Sequence, residues 1–131
     1  MIAVAEPRCG LAESARRAAA SLLADLDGVR AALIATSDGT ALAHAGRLPV
    51  DAAWLAAMAG SLSLLCDTTA RETGVGDARY LVVEAGMGRI IVRRLLVHGT
   101  NLAVVLLTDK SVLLGMAWSR IGQVEQAMNA E

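Results

Sequence analysis

Side chains able to do catalytic or metal chemistry are sparse in this 131-residue sequence and poorly spaced for it. His44 and His98 are the only imidazoles, and neither has a cysteine or a carboxylate at the spacing of a metal-ligand set. No serine stands in the Gly-x-Ser-x-Gly context of a nucleophile elbow. Cys66 falls in an uncharged segment that offers nothing to activate its thiol, so it is predicted to be a small buried residue. The sequence therefore predicts no catalytic residue and no metal site, and we expect a protein that is not an enzyme.

Closely spaced glycines are the next candidates, because glycine-rich loops can hold phosphates. The segment 74–76 follows a predicted helix rather than a strand, and Arg79 stands where a dinucleotide-binding loop would have its third glycine. The segment 86–88 lies between two predicted strands and is typical of a hairpin turn. The sequence also lacks a Gly-x-x-x-x-Gly-Lys-Ser/Thr loop. We expect no cofactor-binding residue and no nucleotide hydrolysis by this chain.

Arg93 and Arg94 form a basic pair on a predicted strand. Successive strand residues point to opposite faces, so one of the two must enter a covered face or reach its rim. An ion pair with Glu84 across the predicted hairpin is the favoured interpretation. An arginine that reaches a partner's phosphate is the open alternative.

The composition is that of one hydrophobic domain. Hydrophobic residues make up 55% of the chain, and the net charge of −1 gives no electrostatic reason to bind nucleic acid. Uncharged runs are too short for a membrane span, so the excess hydrophobicity is assigned to a core or an oligomer interface. Residues 1–9 carry Glu6 and Arg8 and no apolar signal segment, which predicts a flexible tail before a domain at 10–129 and a cytoplasmic location.

Hydrophobic periodicity and turn residues predict helix, two strands, helix, three strands, helix. The predicted ranges are 11–26, 29–36, 41–45, 52–73, 79–84, 89–95, 102–107 and 112–128, with Asp51 as the N-cap of the central helix and Asp109 or Ser111 as that of the last. Several strands are nearly continuous apolar runs, which indicates a sheet covered on both faces. The predicted fold is an α+β sandwich, a five-stranded antiparallel sheet with the central helix on one face and the terminal helices on the other.

The central helix has an unusual outward side, because the sequence contains no charged residue between Asp51 and Asp67. A projection at about 100° per residue groups the large residues on a predicted core face, consisting of Trp54, Leu55, Met58, Leu62, Leu65, Cys66 and Thr69. Small residues and Leu64 then lie on the outward side, where a surface helix would carry charges. A glycine inside a helix is costly unless something needs the space, so Gly60 favours an interface with a second chain.

The element order and turn placement of residues 11–128 resemble the Roadblock/LC7 domain family, a profilin-like sandwich. The segments that carry the resemblance are 27–43, 55–95 and 101–128. The resemblance implies a bacterial, non-catalytic regulator of a small Ras-like GTPase, similar to the gliding-motility GTPase-activating type and encoded near its GTPase. It also implies a homodimer formed through the central helices and the third strand.

Combined with the helical projection, this resemblance assigns two sets of site residues. The predicted dimer interface is Ala53, Ala57, Ser61, Leu64, Thr68, Arg79 and Leu81. The predicted GTPase-binding lane is Ala52, Ala56, Gly60, Ser63 and Asp67. Two alternatives remain open from the residues alone: an adaptor without effect on nucleotide turnover, and a small-molecule sensor.

Overall fold

The computed structural model describes residues 5–47 and 50–131, with side chains from residue 10 onward. The chain order is helix, two strands, helix, three strands, helix, as predicted. The elements are α1 (Ala5–Asp25), β1 (Val29–Thr36), β2 (Ala41–Gly46), α2 (Ala52–Glu72), β3 (Tyr80–Ala85), β4 (Gly88–Val97), β5 (Thr100–Thr108) and α3 (Leu114–Ala130).

The five strands form one antiparallel sheet in the order β2-β1-β5-β4-β3. The two hairpins lie at opposite ends of this order, so β2 and β3 are the edge strands. β3 and β4 are joined by a two-residue turn at Gly86 and Met87, and Ala85 pairs with Gly88 at its base. The second hairpin, formed by β3 and β4, therefore lies at one end of the sheet and leaves the outer edge of β3 without a neighbouring strand.

Apolar side chains of the sheet divide between its two faces, as alternation along a strand requires. On one face, Ile34, Ile91 and Leu106 belong to a large buried cluster with residues of α1 and α3. On the other face, Leu33 and Val105 belong to a smaller cluster with residues of α2. This arrangement confirms the predicted sandwich, with α2 on one face and the terminal helices on the other.

Two predicted element ends differ from the structure. α1 begins at Ala5, so residues 5–9 are helical where a flexible tail is predicted, and residues 1–4 lie outside the described residues. The N-cap of α3 is Leu113, which makes no side-chain cap hydrogen bond, so Asp109 and Ser111 are wrong as caps. The Asp109 carboxylate instead accepts hydrogen bonds from the hydroxyl and the backbone N–H of Ser111, and these bonds hold the pKa of Asp109 below its usual value. Both residues shape the turn before α3 rather than its first helical turn.

Candidate interaction surface

The face that α2 turns toward the sheet is formed by its smaller residues. Its buried positions are Leu55, Ala56, Ala59 and Asp67. Trp54, Met58 and Leu65 are predicted in the core but are exposed to 60%, 40% and 65%. The prediction placed the apolar face about one residue, or about 100°, away from the side that packs on the sheet.

A close contact between α2 and the β1–β2 turn accounts for this orientation. A Cβ atom added to Gly60 would lie 3.1 Å from the Cα of Gly39, and one added to Gly39 would lie 3.3 Å from the backbone oxygen of Ala56. Gly39 also has a φ of +91°, which favours glycine. Small residues are therefore needed on the inner face of α2, and the mid-helix Gly60 serves a contact within the chain rather than one between chains.

We expect Gly60→Ala to be less stable than Gly122→Ala by about 1–2 kcal/mol, because the new methyl group of the first variant must displace backbone. Both glycines lie inside helices, so both variants gain the same helix propensity, about 1 kcal/mol. A Cβ at Gly122 would meet nothing within 4 Å, which makes this variant the matched control. Urea unfolding of the two variants and the wild type measures the difference. Equal unfolding free energies would show that the contact of α2 with the β1–β2 turn is loose.

The side of α2 away from the sheet is an apolar surface, here named the outer face. It consists of Ala53, Trp54, Ala57, Met58, Ser61, Leu64, Leu65 and Thr68, all of them exposed. Leu64 is 68% exposed, and no residue of the outer face carries a charge. Exposed apolar patches of this kind mark interaction sites. Small residues of α2 predict a contact with a second chain. The exposed residues that favour such a contact in the structure are larger.

The structure separates the two predicted sets of site residues. All members of the predicted dimer interface are exposed except Leu81, which is half-buried and packs against the smaller apolar cluster. In the predicted GTPase-binding lane, Ala56 is fully buried and Asp67 is 8% exposed. Gly60 faces Gly39 of the same chain. Ala52 and Ser63 are half-buried beside them. The burial of Ala56 and Asp67 contradicts their assignment to GTPase binding, while the same assignment of Ala52, Gly60 and Ser63 stays a prediction.

Three large residues predicted in the core lie on the surface instead, and sequence reasoning does not find them there: Trp54, Met58 and Leu65. The sequence did contain a signal for them. A glycine in mid-helix and an Asp-Gly turn in the preceding hairpin are the two halves of a close backbone contact. Such a contact fixes which side of α2 faces the sheet.

The edge strand β3 lies beside α2 and extends the candidate surface. Between α2 and the sheet is a groove of about 180 Å³ that reaches from β1 to the β3 edge, lined by residues that include Leu64, Arg79, Tyr80 and Leu81. Tyr80 is 57% exposed, and its ring contacts Trp118 of α3 with the ring centroids 4.6 Å apart. The outer face and the β3 edge therefore border a common groove.

Arg93 and Arg94 point to opposite faces of the sheet, as strand alternation predicts. Arg93 lies 3.7 Å from the carboxylate of Glu125 on α3, and Arg94 lies 3.9 Å from that of Asp67 on α2. Glu84 pairs with Arg89 instead, so the predicted ion pair between Glu84 and the basic pair is wrong. Each arginine of the pair links the sheet to a different helix layer.

Asp67 joins α2 to the start of β3. Its carboxylate lies 2.7 Å from the Arg71 guanidinium and accepts a hydrogen bond from the backbone N–H of Ala78 at 3.2 Å. Arg71 also pairs with the exposed Asp77 at 3.0 Å. Because Asp67 is buried and Asp77 is exposed, the first contact is much less screened by water than the second.

Asp67→Ala is expected to lower the free energy of unfolding by about 1–3 kcal/mol, since it leaves the Ala78 N–H without its acceptor. Asp77→Ala removes an exposed partner of the same Arg71 and is expected to cost less than about 1 kcal/mol. Chemical denaturation of both variants tests the difference. A loss in Asp77→Ala as large as that in Asp67→Ala would contradict the assigned role of Asp67.

The remaining candidates for chemistry stay apart. His44 lies on β2, His98 in the turn after β4, and Cys66 is half-buried on α2. Among the residues that the structure describes, no three His, Cys, Asp or Glu side chains form a group able to hold a metal ion. Within 5–47 and 50–131, no helix has the length and apolar character needed to cross a membrane.

A sequence model of the Roadblock/LC7 domain matches residues 18–105. No curated protein matches the sequence. Solved structures match the fold. The gliding protein MglB of Thermus thermophilus is 19% identical, with 92% of this chain and 89% of that chain covered and a TM-score of 0.75. An MglB described as having a tetrameric arrangement is 20% identical, with 92% and 88% covered and a TM-score of 0.76.

A more distant match is profilin IA of Acanthamoeba castellanii, with 13% identity. It covers 88% of this chain and 96% of that chain, with a TM-score of 0.53. This match confirms the profilin-like character of the predicted sandwich.

Proposed function

The chain belongs to the Roadblock/LC7 domain family, and from this membership we propose that it is a dimeric, non-catalytic regulator of a small Ras-like GTPase. The observation that carries the proposal is the outer face of α2, which is apolar, uncharged and bordered by an open sheet edge. A monomer gains nothing from exposing Trp54, Leu64 and Leu65 on one helix. A protein that works by binding other chains needs such a surface.

The part of the outer face nearest the groove is proposed as the dimer contact. It consists of Ala53, Ala57, Ser61, Leu64 and Thr68, and Arg79 and Leu81 continue it onto the β3 side. Leu64 supports this assignment because it lines the same groove as Arg79, Tyr80 and Leu81. A two-fold axis beside this surface would bury it against its own copy. The tetrameric arrangement described for one MglB supports assembly between copies of this chain as well.

The rest of the outer face is proposed as the GTPase contact, in place of the predicted lane, in which Ala56 and Asp67 are buried. Trp54, Met58 and Leu65 lie farther around the helix from the groove, where dimer formation would leave them accessible. Tryptophan and methionine are enriched in the centres of protein interfaces. Binding would regulate the GTPase by favouring one nucleotide state of its mobile loops.

The proposal is tested first by light scattering of the wild-type chain, for which the mass of a dimer is expected. Small Ras-like GTPases of the source genome, loaded with GDP or with a non-hydrolysable GTP analogue, are then titrated by calorimetry. Tighter binding to one nucleotide state and a changed rate of GTP turnover are expected. Equal binding to both states with unchanged turnover would favour the adaptor alternative. A monomer that binds none of these GTPases would overturn the proposal.

A further inference from the structure

We propose that the groove between α2 and the sheet binds a small organic carboxylate with an apolar body, such as an aromatic ring. Two arginines of neighbouring strands would hold the carboxylate, and alanines on the same face of the sheet would contact the apolar body. All these groups belong to one chain, so the site would exist with or without the proposed dimer and GTPase contact.

The floor of the groove is a row of residues that pair across three strands. Ala35 of β1 pairs with Ala103 of β5, and Ala103 pairs with Arg94 of β4. The neighbouring row on the same face, two residues away along each strand, has larger side chains that pack in the smaller apolar cluster with α2: Leu33, Val105 and Val92. The two alanines are too short to fill the corresponding space beneath the helix.

The helix does not fill this space either, because its residues above the row are also small. Those that line the groove include Ala56, Ala59, Gly60 and Ser63. The close approach of Gly60 to Gly39 fixes α2 in this position. The volume that remains is about 180 Å³. An engineered cavity of about 150 Å³ in another protein binds benzene, so this groove has room for one aromatic ring.

Two arginines lie side by side at the β3 end of the row. The Arg94 N–H donates to the Arg79 carbonyl at 3.4 Å, which sets the two residues opposite each other, and both line the groove. Like charges directly opposite each other on neighbouring strands are destabilising. Among the described residues, Arg79 has no ion-pair partner, and Arg94 has only the Asp67 carboxylate at 3.9 Å. An anion between the two guanidinium groups would relieve their repulsion.

Asp67 compensates only part of this positive charge. Its carboxylate is already paired with the Arg71 guanidinium at 2.7 Å and with the Ala78 N–H at 3.2 Å. Of the charged residues that line the groove, Arg79 and Arg94 are positive and only Asp67 is negative. A bound carboxylate would accept charge-assisted hydrogen bonds from both arginines. Apolar surface beside a few polar groups that fix orientation is the usual composition of a small-molecule site.

NMR titration of the isotope-labelled wild-type chain with phenylacetate tests this site. Saturable shifts of the amide signals of Ala35, Arg94 and Ala103 are expected. Phenylacetamide lacks the charge and acetate lacks the ring. Each is expected to bind at least about tenfold more weakly, because hydrogen bonds to a charged group and burial of a ring each contribute at least that factor.

Two variants test the position of the ligand within the groove. Arg94→Gln removes a guanidinium group whose side chain is 45% exposed, and it is expected to weaken phenylacetate binding at least about tenfold. Ala103→Leu is expected to weaken binding as much, because the larger side chain occupies the space of the ring while both arginines remain. Arg120→Gln is the matched control, since Arg120 lies on α3, on the other side of the sheet. Circular dichroism checks the fold of each variant.

The other outcomes would overturn the site. Phenylacetate shifts that do not saturate, or equal binding of phenylacetamide, would contradict a carboxylate site. Unchanged affinity in Arg94→Gln and in Arg79→Gln, an exposed position, would remove the role of the arginines even if Ala103→Leu does not fold. Full binding by a folded Ala103→Leu protein would place the ring outside the groove. None of these results bears on the mass of the dimer or on GTPase binding, which are measured separately.

Discussion

Leu64→Glu is expected to convert the dimer into folded monomers. The substitution places a carboxylate in the proposed dimer contact, at a position where the Leu64 side chain is 68% exposed in the isolated chain. Disrupting a hot-spot residue near the centre of an interface costs about 2 kcal/mol or more, which weakens association roughly thirtyfold. The cost to folding is expected to be small, because Leu64 is not part of either buried cluster.

Sedimentation velocity across a concentration series measures this change, and circular dichroism checks that the monomers are folded. Leu113→Glu is the matched control, because Leu113 is 69% exposed at the start of α3, away from the outer face. The control is expected to keep the wild-type mass. A Leu64→Glu protein that stays dimeric at the same concentrations would show that the dimer contact lies elsewhere.

Leu65→Glu is expected to weaken GTPase binding by about 2 kcal/mol, roughly thirtyfold, while the dimer persists. Leu65 is next to Leu64 in sequence, but a helix rotates by about 100° per residue, so the two side chains leave α2 in different directions. The pair of variants thus separates the proposed dimer contact from the proposed GTPase contact. Both carry the same substitution at nearly the same exposure.

Calorimetry with the GTPase in its preferred nucleotide state measures the effect of Leu65→Glu, again with Leu113→Glu as control. If Leu65→Glu also produces monomers, the dimer contact covers the whole outer face and the GTPase must bind elsewhere. If binding is unchanged in an intact dimer, Trp54 and Met58 lose their proposed role as well.

The sequence was sufficient for the order of elements and for the layers. β1 was predicted at 29–36, where it lies, and Asp51 caps α2 by accepting the Trp54 N–H at 3.0 Å. These features depend on local signals: alternation, turn residues and a capping side chain. The predicted caps of α3 are wrong because the Asp109 carboxylate accepts hydrogen bonds from Ser111 instead of from the helix. The same side chains suit a cap and a turn equally well, so the sequence alone does not distinguish the two.

The orientation of α2 could not be predicted from hydrophobicity alone. Periodicity shows which residues share a side of a helix, but it does not show which side meets the sheet when both sides lack charge. Burying the largest residues is the usual rule, and it fails here because the space beside Gly39 admits only small residues. The exposed apolar surface therefore lies on the helix for which it is predicted, but on a side rotated by about 100°.

The placement of the two tryptophans gives the chain an optical property of its own. Trp54 is 60% exposed on the outer face, and the ring of Trp118 contacts that of Tyr80 at the β3 edge. Emission from indole moves to shorter wavelength when water is removed from it. The proposed GTPase contact would therefore change the emission of Trp54, and the proposed dimer contact, which continues onto the β3 side, that of Trp118. Single Trp→Phe variants make each signal readable without any added dye.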